Sequence, residues 1–468
     1  MPFAATGGLG DVLGSLPAAV KKAGGDDVDV RVVLPLYSAV GEEWRAQMET
    51  VKVFEVELAW RRQYCGILSL EKDGVIYYFV DNEYYFKRDS LYGHYDDGER
   101  YAFFSKAVVE MMQQIDYFPD ILHANDWQSA LSVIYLNLNY RQNPGYEYIK
   151  TVFTIHNIEY QGKYDMALLN DLFGIDWKYC PIMEWGGCMN LMKAAIECAD
   201  RVTTVSERYA GEIQNAEYAH GLENALQKYS YKLSGILNGI DYDFYDPHTD
   251  EDIAKKYTMR SAYNKPKNKT ALQQKLCLPE TDAPMFAIIS RLVSHKGMDL
   301  VREIAYKLVE ENDVQLIILG TGDSGYEGFF RELEMNHHNQ VRSMIMYNRK
   351  LSKLIYAASD FLIMPSKSEP CGLSQMIASR YGSVPVVRET GGLYDSIKGY
   401  WVDEGEIRGN GFTFYNYSSD ELYDRLRAAI SVYNDTDAFK KLRRKVMSED
   451  FSWNNSAVKY LEMYNSIN

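Results

Sequence analysis

The sequence predicts an α/β protein built from two doubly wound domains, and three observations carry that reading. The chain has 468 residues, more than one hydrophobic core usually holds. Short apolar runs fit for strands alternate with amphipathic helical patterns through both halves. Several of these strand candidates run straight into glycine-containing loops from which a helix opens. In a parallel sheet that arrangement places ligands outside the carboxyl ends of the strands.

The first half opens on Thr6-Gly7-Gly8-Leu9-Gly10-Asp11. Leu9, Val12, Leu13, Leu16 and Val20 then share one helical face, with Pro17 expected to kink the helix or shift its start. Residues 28–34 alternate as a strand, and 53–58, 64–70 and 75–80 read as short strands, the last two joined by Lys72-Asp73-Gly74. A helix is expected over 99–115. A buried strand at 120–123 leads into Asn125-Asp126-Trp127 and a helix, and another at 151–155 ends at His156-Asn157. Residues 189–198 read as helix and 201–205 as strand, and this half closes at Asn238-Gly239-Ile240-Asp241.

Residues 242–280 are rich in Asp, Lys, Tyr and Asn and lack apolar periodicity, so they read as a linker with short helices. The second series then runs strand 285–290, helix 297–311, strand 314–319, helix 325–338, strand 343–346 and helix 351–358. Strand 361–364, a helix from about 373 and strand 384–387 follow, and helices fill 419–433, 437–448 and 453–466. The expected domains are 1–241 and 242–452, with 453–468 crossing back to the first.

Composition narrows the function. Apolar residues make up 46% and charged residues 25%, ordinary for a soluble globular chain. No apolar run approaches the length of about 18 residues that a membrane helix needs. No basic segment leads into a long apolar one at the amino terminus, so no secretory signal is expected. The six cysteines form no C-x-x-C pair, which fits reduced thiols and a cytoplasmic location. A net charge of −15 argues against nucleic acid or anionic membrane as a partner, so any phosphorylated ligand must sit on a local basic island. The 38 tyrosines suit stacking on sugar rings, though biased composition explains such a surplus equally well.

One such island is Ser290-Arg291-Leu292-Val293-Ser294-His295-Lys296-Gly297, at a strand exit and a helix start. Arginine grips phosphate oxygens in a fork and lysine acts as a point charge, so the pair is a candidate for a diphosphate; the alternative is two cations paired with surface acids. Glu369, in Glu369-Pro370-Cys371-Gly372-Leu373, follows the 361–364 strand and is either a solvated loop acid or a carboxylate placed beside that phosphate site. Gly320-Thr321-Gly322-Asp323 follows another strand. His123-Ala124-Asn125-Asp126-Trp127 and His156-Asn157-Ile158-Glu159-Tyr160-Gln161-Gly162 follow strands of the first half. Singly these are what structural strand-end residues look like; the set carries the reading. Thr390-Gly391-Gly392-Leu393 echoes Thr6-Gly7-Gly8-Leu9, so two phosphate-type loops facing one cleft are expected. A P-loop, an H-E-x-x-H or Cys/His zinc set and a G-x-S-x-G elbow are all missing from the sequence, and Gly7–Asp11 is not G-x-G-x-x-G.

These motifs, taken in order with Asn238-Gly239-Ile240-Asp241 and Ser290-Arg291-Leu292-x-x-x-Lys296-Gly297, resemble bacterial glycogen synthase and plant starch synthase over nearly the whole chain. The resemblance implies the GT-B fold, two Rossmann-like domains facing a central cleft. It further implies transfer of glucose from ADP-glucose to the non-reducing 4-hydroxyl of an α-1,4-glucan such as glycogen, with retention and with no cofactor or metal. Arg291 and Lys296 would hold the diphosphate, helped by N–H groups at Gly8 and at the Gly372-Leu373-Ser374 helix start. Glu369 would bind the glucose hydroxyls and offset positive charge at the anomeric centre, against which the His156 carbonyl would lie. Asp11, Asp126 and Asn238 would line the donor and acceptor sites, and Tyr347 would stack on adenine. Thr6, Gly7, Trp127, Asn157, Cys371, Thr390 and Gly391 complete the implied substrate-binding set.

Two departures from the family pattern stand out. Ala5 occupies the position where the family carries a lysine that contacts the donor, which bears on donor affinity or rate. The family also places a strand ahead of the glycine loop, so a first sheet lacking a central strand is expected. The rival readings are a GT-B transferase using another nucleotide sugar such as UDP-glucose, and a glucan-binding homologue with impaired turnover.

Overall fold

Two units make up the chain, Met1–Ile236 together with Trp453–Asn468, and Leu237–Ser452; the computed structural model describes residues 3–4 and 7–467. In the first unit, β1 (Arg31–Pro35), β2 (Glu49–Leu58), β3 (Arg61–Lys72) and β4 (Val75–Asp81) form a sheet of order β1-β4-β3-β2. β1 runs parallel to β4, and β3 runs antiparallel to both its neighbours. Asp73 and Gly74 both take positive φ, 54° and 73°, the requirement of the tight turn that joins twisted strands. β2 starts earlier than the apolar alternation suggested because it is an edge strand. Its exposed Glu49, Lys52, Glu55 and Glu57 carry no hydrophobic period and discourage edge pairing.

The second sheet of this unit is wholly parallel: β5 (Ile121–Asn125), β6 (Lys150–Ile155), β10 (Arg201–Thr204) and β11 (Leu233–Gly235) lie in the order β11-β10-β6-β5. Its edge position leaves β5 half-buried rather than buried. A small antiparallel sheet is made by β7 (Lys163–Tyr164), β8 (Glu184–Trp185) and β9 (Cys188–Asn190). β9 takes two residues that helical periodicity had claimed, and Asn190 then caps the Leu191–Cys198 helix by accepting from Lys193 N. Pro17 lies inside the Gly7–Gly24 helix without ending it. That helix buries Val12, Leu16 and Val20 against Trp453, Ala457 and Tyr460 of the Trp453–Asn465 helix. Each fully buried side chain there contributes roughly 1.5–3 kcal/mol.

The second unit holds one six-stranded parallel sheet: β12 (Met285–Ile289), β13 (Gln315–Leu319), β14 (Val341–Met344), β15 (Phe361–Met364), β16 (Val384–Arg388) and β19 (Phe412–Phe414). The order is β14-β13-β12-β15-β16-β19, which in chain order within the unit is 3-2-1-4-5-6, the doubly wound dinucleotide arrangement. Helices on both faces leave β13 and β15 buried throughout, which is why, Gln315 apart, they read as apolar runs. An exposed hairpin, β17 (Trp401–Asp403) and β18 (Glu406–Arg408), turns through Glu404 and Gly405, again both at positive φ.

The stretch 242–280, linker-like in composition, is anchored to this second unit. It holds the Pro266–Lys275 helix, and Lys265 Nζ donates to the Tyr356 and Ala357 carbonyls at 2.9 and 2.8 Å. Lys269 Nζ reaches Asp360, directly ahead of β15, at 2.8 Å; Arg443 reaches the other carboxylate oxygen at 2.8 Å, and Met285 N donates at 3.0 Å. Hydrogen-bonded lysine and tyrosine heads bury here without leaving an apolar signature. No helix among the described residues is long and apolar enough to cross a membrane.

Candidate functional site

In a doubly wound sheet the strand order reverses where two neighbouring strands send their connections to opposite sides, leaving a crevice at their carboxyl ends. Here that point lies between β12 and β15. The loop after β12 carries Arg291 and Lys296, and the loop after β15 carries Glu369. The two loops touch: Lys367 N donates to His295 O at 2.9 Å, and Gly297, at φ 77°, lies so close that a Cβ would stand 2.2 Å from the Pro365 carbonyl oxygen. Only glycine permits that approach.

The consequence is a shared ion pair. Lys296 Nζ donates to both Glu369 oxygens, at 2.8 Å to Oε1 and 2.7 Å to Oε2. Ser366 Oγ donates a third hydrogen bond to Oε2 at 2.9 Å. Glu369 is only 6% exposed, so its charge depends on these donors. Arg291, exposed on the same loop, donates to His295 Nε2 at 3.0 Å.

The backbone of Glu369 is fixed from a third loop, the one after β16. Gly392 N donates to Glu369 O at 3.1 Å, and a Cβ on Gly391 would stand 2.0 Å from that oxygen. The glycines of Thr390-Gly391-Gly392 therefore have a packing reason independent of any phosphate. Gln375 braces the same turn by donating to the Cys371 and Gly372 carbonyls at 3.1 and 3.0 Å and to Ser396 Oγ at 3.1 Å. Gly372 takes φ 71°, Leu373 follows it, and Ser374 opens the Ser374–Arg380 helix. Cys371 is buried, which pushes its thiol up to about 12, and Asn238 bonds against it. Tyr347, on the loop after β14, is 86% exposed and presents its ring to solvent.

In the first unit the loops after β5 and β6 meet in the same way. Asp126, at the strained φ of 56°, accepts from His156 N at 2.7 Å and from Asn157 N at 3.4 Å. Burial pushes the Asp126 carboxyl up to about 7 despite those two donors. Burial also lowers the His156 imidazole to about 3, so it is neutral, and its Nε2–H donates to Asn125 Oδ1 at 2.9 Å. His123, lowered by burial to about 4, joins Thr154 Oγ1 at 2.6 Å to Tyr464 OH at 2.7 Å. Trp127 sits edge-on to Tyr101 at 5.4 Å, and Gly162 packs against its ring. Gln161, buried, spans the Ile158 and His220 carbonyls at 3.1 Å each and so braces the loop that begins at His156. Gly7, Gly8 and Asp11 lie on the first turns of the Gly7–Gly24 helix; Ala5 and Thr6 fall outside the described residues.

The structure thus brings Arg291, Lys296, Glu369, Cys371, Gly372, Gly391 and Asn238 onto contacting loops of one unit, and Asp126, Trp127, His156 and Asn157 onto contacting loops of the other. Sequence reasoning passed over Ser366 and Gln375. Ser366 had one signal, a hydroxyl three residues before Glu369 at a strand exit. Among the described residues no group of three or more His, Cys, Asp or Glu is placed to hold a metal ion.

Comparison with known proteins follows the same division. Residues 1–228 match the family described as the starch synthase catalytic domain, and residues 269–446 match glycosyl transferases group 1. Over 470 residues the chain is 46% identical to a glycogen synthase of Bacillus cereus, covering 100% of this chain and 98% of that one. A glycogen synthase of Clostridium botulinum is also 46% identical, with 97% of its length covered. Among solved structures, the catalytic domain of starch synthase IV from Arabidopsis thaliana bound to ADP and acarbose gives a TM-score of 0.89 at 35% identity, covering 100% of this chain and 97% of that one. Sucrose-phosphate synthase from Thermosynechococcus elongatus, at 16% identity and a TM-score of 0.60, shares the fold.

Proposed function

The chain belongs to the glycogen and starch synthases, retaining glucosyltransferases of the GT-B fold, and from that premise we propose that it moves glucose from ADP-glucose to the 4-hydroxyl at the non-reducing end of an α-1,4-glucan. The observation that carries the reading is the buried Glu369 carboxylate gripped by Lys296 at the switch point of the parallel sheet. The adenine nucleotide is favoured by the ADP bound to the Arabidopsis relative.

In this reading the bond from C1 of glucose to the β-phosphate oxygen breaks, and the bond from C1 to the acceptor oxygen forms on the same face. The acceptor proton passes to the departing phosphate. Positive charge grows at the sugar and negative charge on the ADP, so catalysis rests on groups placed for both. Arg291 and Lys296 take the diphosphate, with N–H groups at Gly8 and at Gly372, Leu373 and Ser374, and supply the charge a metal would otherwise bring. Glu369 faces the glucosyl ring. The His156 carbonyl meets the anomeric carbon, held in register by the bond from His156 N to Asp126. A neutral imidazole there adds no positive charge beside the developing cation. Tyr347 stacks on adenine, while Asp11, Trp127, Asn157 and Asn238 line the sugar positions, with Thr6, Gly7, Cys371, Thr390 and Gly391 completing the set.

The test is nucleotide release from ADP-glucose and from UDP-glucose, each with glycogen and with EDTA present. ADP-glucose is expected to win by at least about tenfold in kcat/KM, a modest difference of pocket contacts. Equal or better use of UDP-glucose would overturn the donor assignment, and loss of activity to EDTA would overturn the metal-free reading.

A further inference from the structure

Glu369 receives three hydrogen bonds, but its donors differ in kind. Lys296 is a long, flexible cation that bonds both oxygens and is 18% exposed at its side chain. Ser366 is a short neutral donor, 1% exposed, bonded to Oε2 alone. It stands two residues past the end of β15, beside the Pro365 carbonyl against which Gly297 packs. An ammonium that can choose between one carboxylate and a diphosphate is drawn to the greater charge, and its stem lets it swing. The Ser366 hydroxyl, on a buried loop, has no such reach.

We propose that Ser366 is the positioning residue of Glu369: it holds Oε2 in place while Lys296 turns to the diphosphate of the donor, and so leaves Oε1 as the oxygen free to face the sugar. The Gly392 N–H on the Glu369 carbonyl fixes the backbone, and Ser366 fixes the carboxylate. Without Ser366 the carboxylate would lose its remaining donor at the moment Lys296 departs, and a buried carboxylate left without donors is no longer held in one orientation. The inference rests on the role given to Glu369 above.

The experiment is steady-state ADP release with glycogen by Ser366→Ala, Ser366→Thr, Glu369→Ala and the double variant Ser366→Ala/Glu369→Ala, with melting temperatures measured alongside. A hydrogen bond to a charged group predicts that Ser366→Ala lowers kcat by about tenfold or more while both KM values stay within about twofold. Ser366→Thr, which keeps the hydroxyl, should recover most of the loss. On the Glu369→Ala background Ser366→Ala should change the residual rate by less than about twofold, because the two act as one unit. Should Ser366→Ala melt well below the parent, Ser366→Cys, of similar volume and a far weaker donor, must show the same loss of kcat. An unchanged kcat, a raised KM alone, or the same fractional loss on the Glu369→Ala background would each overturn the proposal. Full ADP release by Glu369→Ala would instead sink the role of Glu369 itself, a result distinct from any of these.

Discussion

Replacing Gly391 with alanine should damage both stability and turnover, and the structure sets the size of each effect. The new Cβ would stand 2.0 Å from the Glu369 carbonyl oxygen, a separation real Cβ contacts do not reach. One loop must therefore retreat by about an ångström. The φ of 43° adds the penalty of a left-handed conformation, roughly 1–2 kcal/mol for a residue with a Cβ. Overpacking adds about 1–3 kcal/mol. The second unit should then melt at least about 4 °C lower. Because the clash falls on the residue proposed to face the glucosyl ring, a displacement of that size should cost about 100-fold in kcat. ADP release with glycogen, measured well below the melting temperature, reads the second effect and a thermal melt the first. An alanine variant within twofold of the parent in kcat would refute the claim that this glycine sets the position of Glu369.

Three further outcomes follow from the geometry. Asp360→Asn leaves the buried Lys269 and the partly buried Arg443 without their shared carboxylate and should cost about 3–5 kcal/mol in denaturant unfolding of the second unit; a loss below about 1 kcal/mol would contradict it. Asp126 titrates near 7, above its value of about 3.9 in an unfolded chain, so its burial costs progressively more stability as pH rises from about 4 to about 7. Asp126→Asn keeps the Oδ1 acceptor and removes that cost, so the variant should melt above the parent at pH 8 and level with it at pH 4, and a variant less stable than the parent at pH 8 would be the contrary result. Tyr347→Ala should raise the KM for ADP-glucose about tenfold, the worth of one base stacked on an aromatic ring, with the KM for glycogen unchanged; equal KM values for the donor would remove Tyr347 from the site.

Strands buried on both faces were plain in the sequence, because β15 and, past Gln315, β13 are apolar runs that lead into glycine-containing loops. Elements stabilised by polar or exposed residues were not. The β17–β18 hairpin is exposed on nearly every residue, and β9 is three residues long inside a helical period. The buried lysines of 242–280 carry their stability in hydrogen bonds that composition cannot show. At the site, charge and glycine at strand exits pointed to Arg291, Lys296 and Glu369 one by one. Their pairing across 73 residues needed the strand order, since adjacency of β12 and β15 is a property of the sheet and not of either segment. Ser366 stayed silent for the same reason: a serine near a loop acid is common, and only its burial and its bond to Oε2 give it a function.

The most direct test of the central claim is ADP release from ADP-glucose in the presence of glycogen, parent against Glu369→Ala at matched stability. The account predicts steady release and glucan elongation by the parent, and a loss of at least about 1000-fold in the variant, the upper range for removing one electrostatic stabiliser. Release by the variant within tenfold of the parent would contradict the placement of the chemistry at the β12–β15 switch point.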